Sequence, residues 1–173
     1  MDQNTTFKDV QIVLGSPHDR PVLDESKLLQ ALGKMGFEWD LSYISADRNP
    51  EELEKYCVSA AENGAKVFIA AAGLNPALPG AIAAITRTVP VIGIALNSST
   101  IPAYVTIACA VARPEGSTVL WAGIGKNGLT NAAFIVAQMF GINDAAVRHV
   151  LDQYLKEFNP PPKIHVETSS DQE

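Results

Sequence analysis

Within "SADRNP" (Ser45 to Pro50), Ser45, Asp47 and Arg48 bring a hydroxyl, a carboxylate and a guanidinium together between an apolar run and a helical pattern. Arg48 can grip a phosphate through two parallel N–H donors, with Ser45 adding a hydroxyl. The helix opened by Asn49 and Pro50 turns its positive end toward the same anion. The competing use of Arg48 is a surface ion pair with Glu51 or Glu52, a common contact of small energy. A second cluster, "GSPHDR" at Gly15 to Arg20, has a glycine where backbone can approach a ligand, then Ser16 and Asp19 ahead of a helix start. A carboxylate such as Asp19 can accept two hydrogen bonds from a ribose diol; the alternative is that Ser16 and Asp19 only cap the helix at Pro21. Taken together, the two clusters fit a mononucleotide site better than either does separately.

The elements that must position these loops alternate. Five short apolar runs read as strands: Val10 to Leu14, Phe37 to Ile44, Lys66 to Ala72, Pro90 to Leu96 and Thr118 to Ile124. Helical patterns lie between them at Val22 to Met35, Pro50 to Asn63 with Asn49 as N-cap, Pro79 to Arg87, Pro102 to Ala112 and Leu129 to Phe140. Gly36 and Gly64 stop the first two, as glycines just past a helix end do. A last helix, from Asp144 to Phe158 with Asn143 as cap, carries Val147, Val150, Leu151, Tyr154, Leu155 and Phe158 on one stripe. That stripe must cover something, and a neighbouring subunit is the expected partner. Strands alternating with helices predict an α/β three-layer sandwich on a parallel sheet. In such sheets ligands sit beyond the carboxyl ends of the strands, where strand order reverses. That rule selects four loops: Gly15 to Arg20, Ser45 to Pro50, "AAGLNPALPG" at Ala71 to Gly80, and "ALNSST" at Ala95 to Thr100.

Composition removes several functions. The 173 residues suit one domain, expected over 1–158, followed by a proline-rich and then polar tail over 159–173. Thirteen Lys plus Arg against nineteen Asp plus Glu give a net charge of -6, with no basic run to follow a phosphate backbone, so nucleic acid is not expected as a partner. No basic-then-apolar leader opens the sequence, and no stretch reaches the ~18 uninterrupted apolar residues of a spanning helix; a cytoplasmic protein without a membrane partner is expected. Cys57 and Cys109 lie far apart with no paired His, and both are expected to be buried thiols. "GIGKNG" at Gly123 to Gly128 matches G-x-G-x-x-G. It follows the last strand, however, and no further strand comes after it to carry a ribose-binding acid. A tight turn with Lys126 near the sheet's carboxyl edge is the expectation.

Over roughly Val10 to Gly141 the loops resemble the PurE family, the carboxyaminoimidazole ribonucleotide mutases and aminoimidazole ribonucleotide carboxylases of purine biosynthesis. "LGSPHD" is similar to the family's GSxSD, "SADRNPEEL" to SAHRTPxxL, "AGLNPALPG" to AGGAAHLPG, and "IGKNGLTNAAFIVAQMF" to IGKAGAxNAALLAAQIL; "PVIGIAL" falls in the same order. The resemblance implies a flavodoxin-like protomer with strand order 2-1-3-4-5, a homo-octamer with sites at subunit contacts, a small ribonucleotide ligand, and no metal or organic cofactor. By position, Ser16 and Asp19 would meet phosphate and ribose, Ser45 and Arg48 would hold the phosphate, and Gly73 and Asn75 would lie beside the substrate.

Two departures stand out. Asp47 occupies the place of the histidine in SAHR, which is central to the family's proton transfer, and Ala77 the place of the histidine in AAHLPG. The animal-type carboxylases also lack the second histidine, but they keep the first and have Arg-Ser-Asn where this chain has Leu74, Asn75 and Pro76. Carboxyl transfer on an aminoimidazole needs a proton delivered to and taken from the ring carbon. An imidazole does both near neutrality, whereas an aspartate donates only where burial raises its pKa. A carboxylate there also repels a substrate carboxylate. His18 across the cleft is the second candidate for the proton role, its alternative being a solvated loop residue. Three functions follow: the family's carboxyl chemistry with Asp47 or His18 as catalytic residues, a paralogue acting on a different ribonucleotide, or a non-catalytic nucleotide-binding protein.

Overall fold

The computed structural model describes residues 7–74, 77–158 and 160. Five parallel strands, β1 (Val10–Leu14), β2 (Trp39–Tyr43), β3 (Val67–Ala72), β4 (Val91–Ala95) and β5 (Leu120–Ile124), form one sheet in the order β2-β1-β3-β4-β5. This is the expected flavodoxin-like order, with its reversal between β1 and β3. Those two strands and β4 are buried along their whole length, which is why they read as apolar runs, interrupted in β1 only by Gln11. Edge strands β2 and β5 are half-covered and carry polar or exposed positions.

Helices α1 (Arg20–Glu25), α2 (Leu28–Lys34), α3 (Pro50–Glu62), α4 (Ala77–Thr86), α5 (Ala103–Val111), α6 (Gly125–Gly141) and α7 (Ala145–Phe158) complete the molecule. One core, with Ile12, Leu14, Leu28, Ile69 and Ile94, joins one face of the sheet to α1, α2, α6 and α7. The other, with Val13, Phe68, Leu53, Cys57 and Ile82, joins the opposite face to α3 and α4. Two closed faces make the three layers.

Several local expectations are corrected. The helix expected over Val22 to Met35 is two helices. The Ser26 hydroxyl donates to the Leu23 carbonyl at 2.7 Å and accepts from the Leu28 amide at 3.2 Å, offering the backbone a turn in place of continued helix. Thr130 on α6 holds the break by accepting from the Lys27 amide at 3.1 Å. Asn49 makes no side-chain cap on α3, its carbonyl instead accepting from Leu53 at 3.0 Å. Nor does Asn143 cap α7: the Asp144 carboxylate accepts from the Ala146 and Val147 amides at 2.8 and 3.2 Å. Cys57 is fully buried, but Cys109 is exposed, because α5 covers the sheet edge with only part of its surface.

The stripe on α7 packs on this chain's own α6. Tyr154 and Phe158 pack on Phe134 with ring centroids 5.8 and 5.3 Å away, and Leu151 and Tyr154 are buried. Val150 stays exposed. Residues 161–173 of the expected tail lie outside the described residues. "GIGKNG" is a strand-to-helix turn, and α6 begins at its Gly125, earlier than the expected Leu129. Gly123 has φ +124°, and a Cβ on Gly128 would come 2.6 Å from the Gly123 carbonyl carbon. Close packing of β5 against α6 accounts for these glycines.

Candidate functional site

Beyond the carboxyl ends of β1, β2, β3 and β4, at the order reversal, the chain forms a cleft of about 750 Å³. Ser16, His18, Asp19, Ser45, Asp47, Arg48 and Gly73 all line it. Loops spaced ~30 residues apart thus converge because parallel strands place every βα turn at one sheet edge. Asn75 lies outside the described residues.

The β1 loop is a 3-10 turn over Pro17–Asp19. Ser16 caps this turn, accepting from the His18 amide at 3.2 Å, and its hydroxyl lies 3.0 Å from His18 Nδ1. Asp19 makes no side-chain cap on α1, so the helix-cap reading holds for Ser16 on the short turn and fails for Asp19. The Asp19 carboxylate is half-buried beside Gly15. Burial pushes its pKa above the ordinary carboxylate value, opposed by a backbone hydrogen bond from Ser16 and by the charges of His18 and Arg48. A Cβ at Gly15 would lie 3.3 Å from the Ala72 methyl, so the absent side chain keeps β1 and β3 close at the cleft floor.

In the β2 loop, Ser45 accepts from the Arg48 amide at 3.3 Å and its carbonyl accepts from the Asn49 amide at 3.0 Å, a tight turn that delivers the chain into α3. Arg48 forms no ion pair with Glu51, Glu52 or any other described acid; its Nη2 donates to the Gly15 carbonyl at 3.4 Å. The guanidinium therefore leans across the cleft toward the β1 loop. Asp47 and His18 are both exposed on the cleft wall.

Leu74, Leu78, Asn97, Ser98 and Ser99 also line the cleft and were not chosen from sequence. The strand-end rule selects the Ala95 to Thr100 loop, but its uncharged side chains give no reason to single out members. Asn97 caps α5 by accepting from Ala103 at 2.9 Å, and Ser98 accepts from Ile101 at 2.8 Å, so both have structural work. Leu74 sits at φ +55°, a left-handed conformation unusual for leucine, and its carbonyl accepts from Thr106 at 3.0 Å. Of the other histidines, His149 is exposed on α7 and His165 lies outside the described residues. No three His, Cys, Asp or Glu side chains gather into a metal-ligand set among the described residues, and none of the described helices is long and apolar enough to cross a membrane.

Fold and cleft together define a flavodoxin-like α/β protein with a pocket at the switch point that mixes charged and apolar side chains. The profile of the AIR carboxylase family matches residues 9–160, and the chain belongs to that family. It is 33% identical over 148 residues to a Pyrococcus abyssi protein named N5-carboxyaminoimidazole ribonucleotide mutase, covering 86% of this chain and 82% of that one. It is 33% identical over 146 residues to a Saccharomyces cerevisiae protein named phosphoribosylaminoimidazole carboxylase, covering 84% of this chain and 25% of the yeast protein. The crystal structure of Treponema denticola PurE aligns with a TM-score of 0.71 at 22% identity, over 86% of this chain and 90% of that one, a likeness of fold.

Proposed function

We propose that this chain acts on the carboxylate of aminoimidazole ribonucleotide in purine biosynthesis, as a mutase or a carboxylase. The observation that carries the reading is Arg48: a guanidinium with no ion pair among the described residues, held at the switch point by the Gly15 carbonyl beside Ser45 and the start of α3, the donor set a phosphate requires. Family membership supports the ring chemistry. In this reading Ser45 and Arg48 hold the phosphate, Ser16 adds a hydroxyl, Asp19 accepts from the ribose diol, and Gly73 and Asn75 flank the ring.

Carboxylation joins the ring carbon to carbon dioxide and releases that carbon's proton; the mutase route first frees carbon dioxide from the exocyclic nitrogen. Asp47 and His18 are the groups proposed to carry the proton. Their exposure in the single protomer is met by the assembly the family resemblance implies, a cytoplasmic homo-octamer whose neighbouring subunits close the cleft. Tyr104, Val105 and Val111 on α5 are exposed apolar residues suited to such a contact, Tyr104 at 67%. No cofactor is assigned a role. Purified protein incubated with either ribonucleotide form should interconvert them, and no turnover above the uncatalysed rate at high enzyme contradicts the proposal.

A further inference from the structure

The charges on the cleft wall carry the carboxyl-transfer reading one step further, and the step rests on that reading. Apart from the imidazole of His18, three formally charged side chains line the cleft among the described residues: Arg48, Asp19 and Asp47. Arg48 is the single permanent cation. No ion pair involves Arg48 or Asp47 among the described residues, although the Arg48 charge acts on Asp19 across the cleft. We infer that, of the entering substrates, the cleft favours a ribonucleotide whose phosphate is its only anionic group, with Asp47 as the residue that discriminates against a carboxylate on the base.

A phosphate takes the guanidinium of Arg48, with the Ser45 hydroxyl beside it. A second anionic group on the same ligand then finds no further permanent cation among the described residues of the protomer's wall; it meets the exposed carboxylate of Asp47, with half-buried Asp19 adding charge of the same sign. Of the two substrates the proposed reaction admits, the carbamate brings that second charge into the cleft. The uncarboxylated ribonucleotide with carbon dioxide does not. The chain therefore runs better as a carboxylase on the uncarboxylated ring. The new bond joins the ring carbon to the carbon of carbon dioxide, the ring proton passes to a base, and the carboxylated product leaves a wall that repels it.

The test compares dissociation constants for two ligands of nearly one shape, the 4-carboxamide and the 4-carboxylate of aminoimidazole ribonucleotide. The wild-type protein should bind the carboxamide about tenfold tighter. Asp47→Asn should bring the ratio of the two constants toward one, and Asp47→Glu should keep it. A wild-type ratio at or below one, or a ratio unchanged in Asp47→Asn, overturns the role of Asp47 and leaves the ribonucleotide reading standing. Failure to bind either ligand contradicts the ribonucleotide reading itself, and the inference falls with it.

Discussion

Arg48 Nη2 donates to the carbonyl oxygen of Gly15 at 3.4 Å, tying the loop after β2 to the loop after β1 across the mouth of the cleft. The contact is long and joins a charged side chain to backbone, so it orients the guanidinium without neutralising it. A ligand phosphate can replace the carbonyl as partner with little rearrangement. Arg48→Ala should therefore weaken binding of an aminoimidazole ribonucleotide by roughly 2–3 kcal/mol, on the order of 100-fold. Arg48→Lys should recover only part of it, because an ammonium lacks the planar fork. Titration calorimetry measures both, and the melting temperature should stay close to wild type because Arg48 is exposed.

The turn between β5 and α6 separates a packing motif from a nucleotide motif. A Cβ on Gly128 would fall 2.6 Å from the Gly123 carbonyl carbon and 3.0 Å from an Ile94 methyl. Gly128→Ala should cost ~2 kcal/mol or more in urea unfolding, since the contact is with backbone that cannot rotate away. Gly33, on α2 with nothing within 4 Å, is the control: Gly33→Ala should be neutral or slightly stabilising.

Alkaline stability depends on two neighbours on α3. Burial pushes the Cys57 thiol from 9.0 to about 12, and likewise the phenol of Tyr56, whose hydroxyl donates to the buried Gln11 side chain, from 10.0 to about 12. Each stays neutral in the folded protein where the unfolded chain would ionise it. Their contribution to stability is intact below about pH 9 and is lost as pH rises toward 12. Urea midpoints measured from pH 7 to 11 should fall over the upper part of that range. Cys57→Ala should flatten the first part of the fall while costing ~1–2 kcal/mol at pH 7 through the small cavity it leaves.

Assembly is tested on α5. Tyr104 is mostly exposed and makes no contribution to the described cores, so Tyr104→Asp should leave the fold intact. Light scattering should show a shift from the proposed octamer toward smaller species, with activity falling in parallel if neighbouring subunits close the cleft. An unchanged mass would contradict a role for this face in assembly.

The sheet was legible from sequence because β1, β3 and β4 are buried on both faces and so appear as apolar runs, broken only by Gln11 in β1, with strand–helix alternation pointing to a parallel topology. Helix ends were less legible. Ser26 and Asp144 use their own side chains to redirect or cap backbone, and nothing in the local pattern distinguishes them from Asn49 and Asn143, which do neither as expected. The charged cleft residues were found because strand ends concentrate function and because Arg48, Asp47 and Asp19 stand out by charge. Asn97, Ser98 and Leu74 did not stand out, since an amide, a hydroxyl and an aliphatic chain are ordinary loop residues until the fold places them on one wall. The fate of the α7 stripe depended on the long-range position of Phe134, which periodicity does not supply.

The most direct measurement is the structure of the protein with aminoimidazole ribonucleotide bound. The account predicts the phosphate within hydrogen-bond reach of Ser45 and Arg48, the ribose hydroxyls on Asp19, and the imidazole ring against Asp47. A ribonucleotide seated away from Arg48, or a ring turned from Asp47 toward solvent, would contradict it.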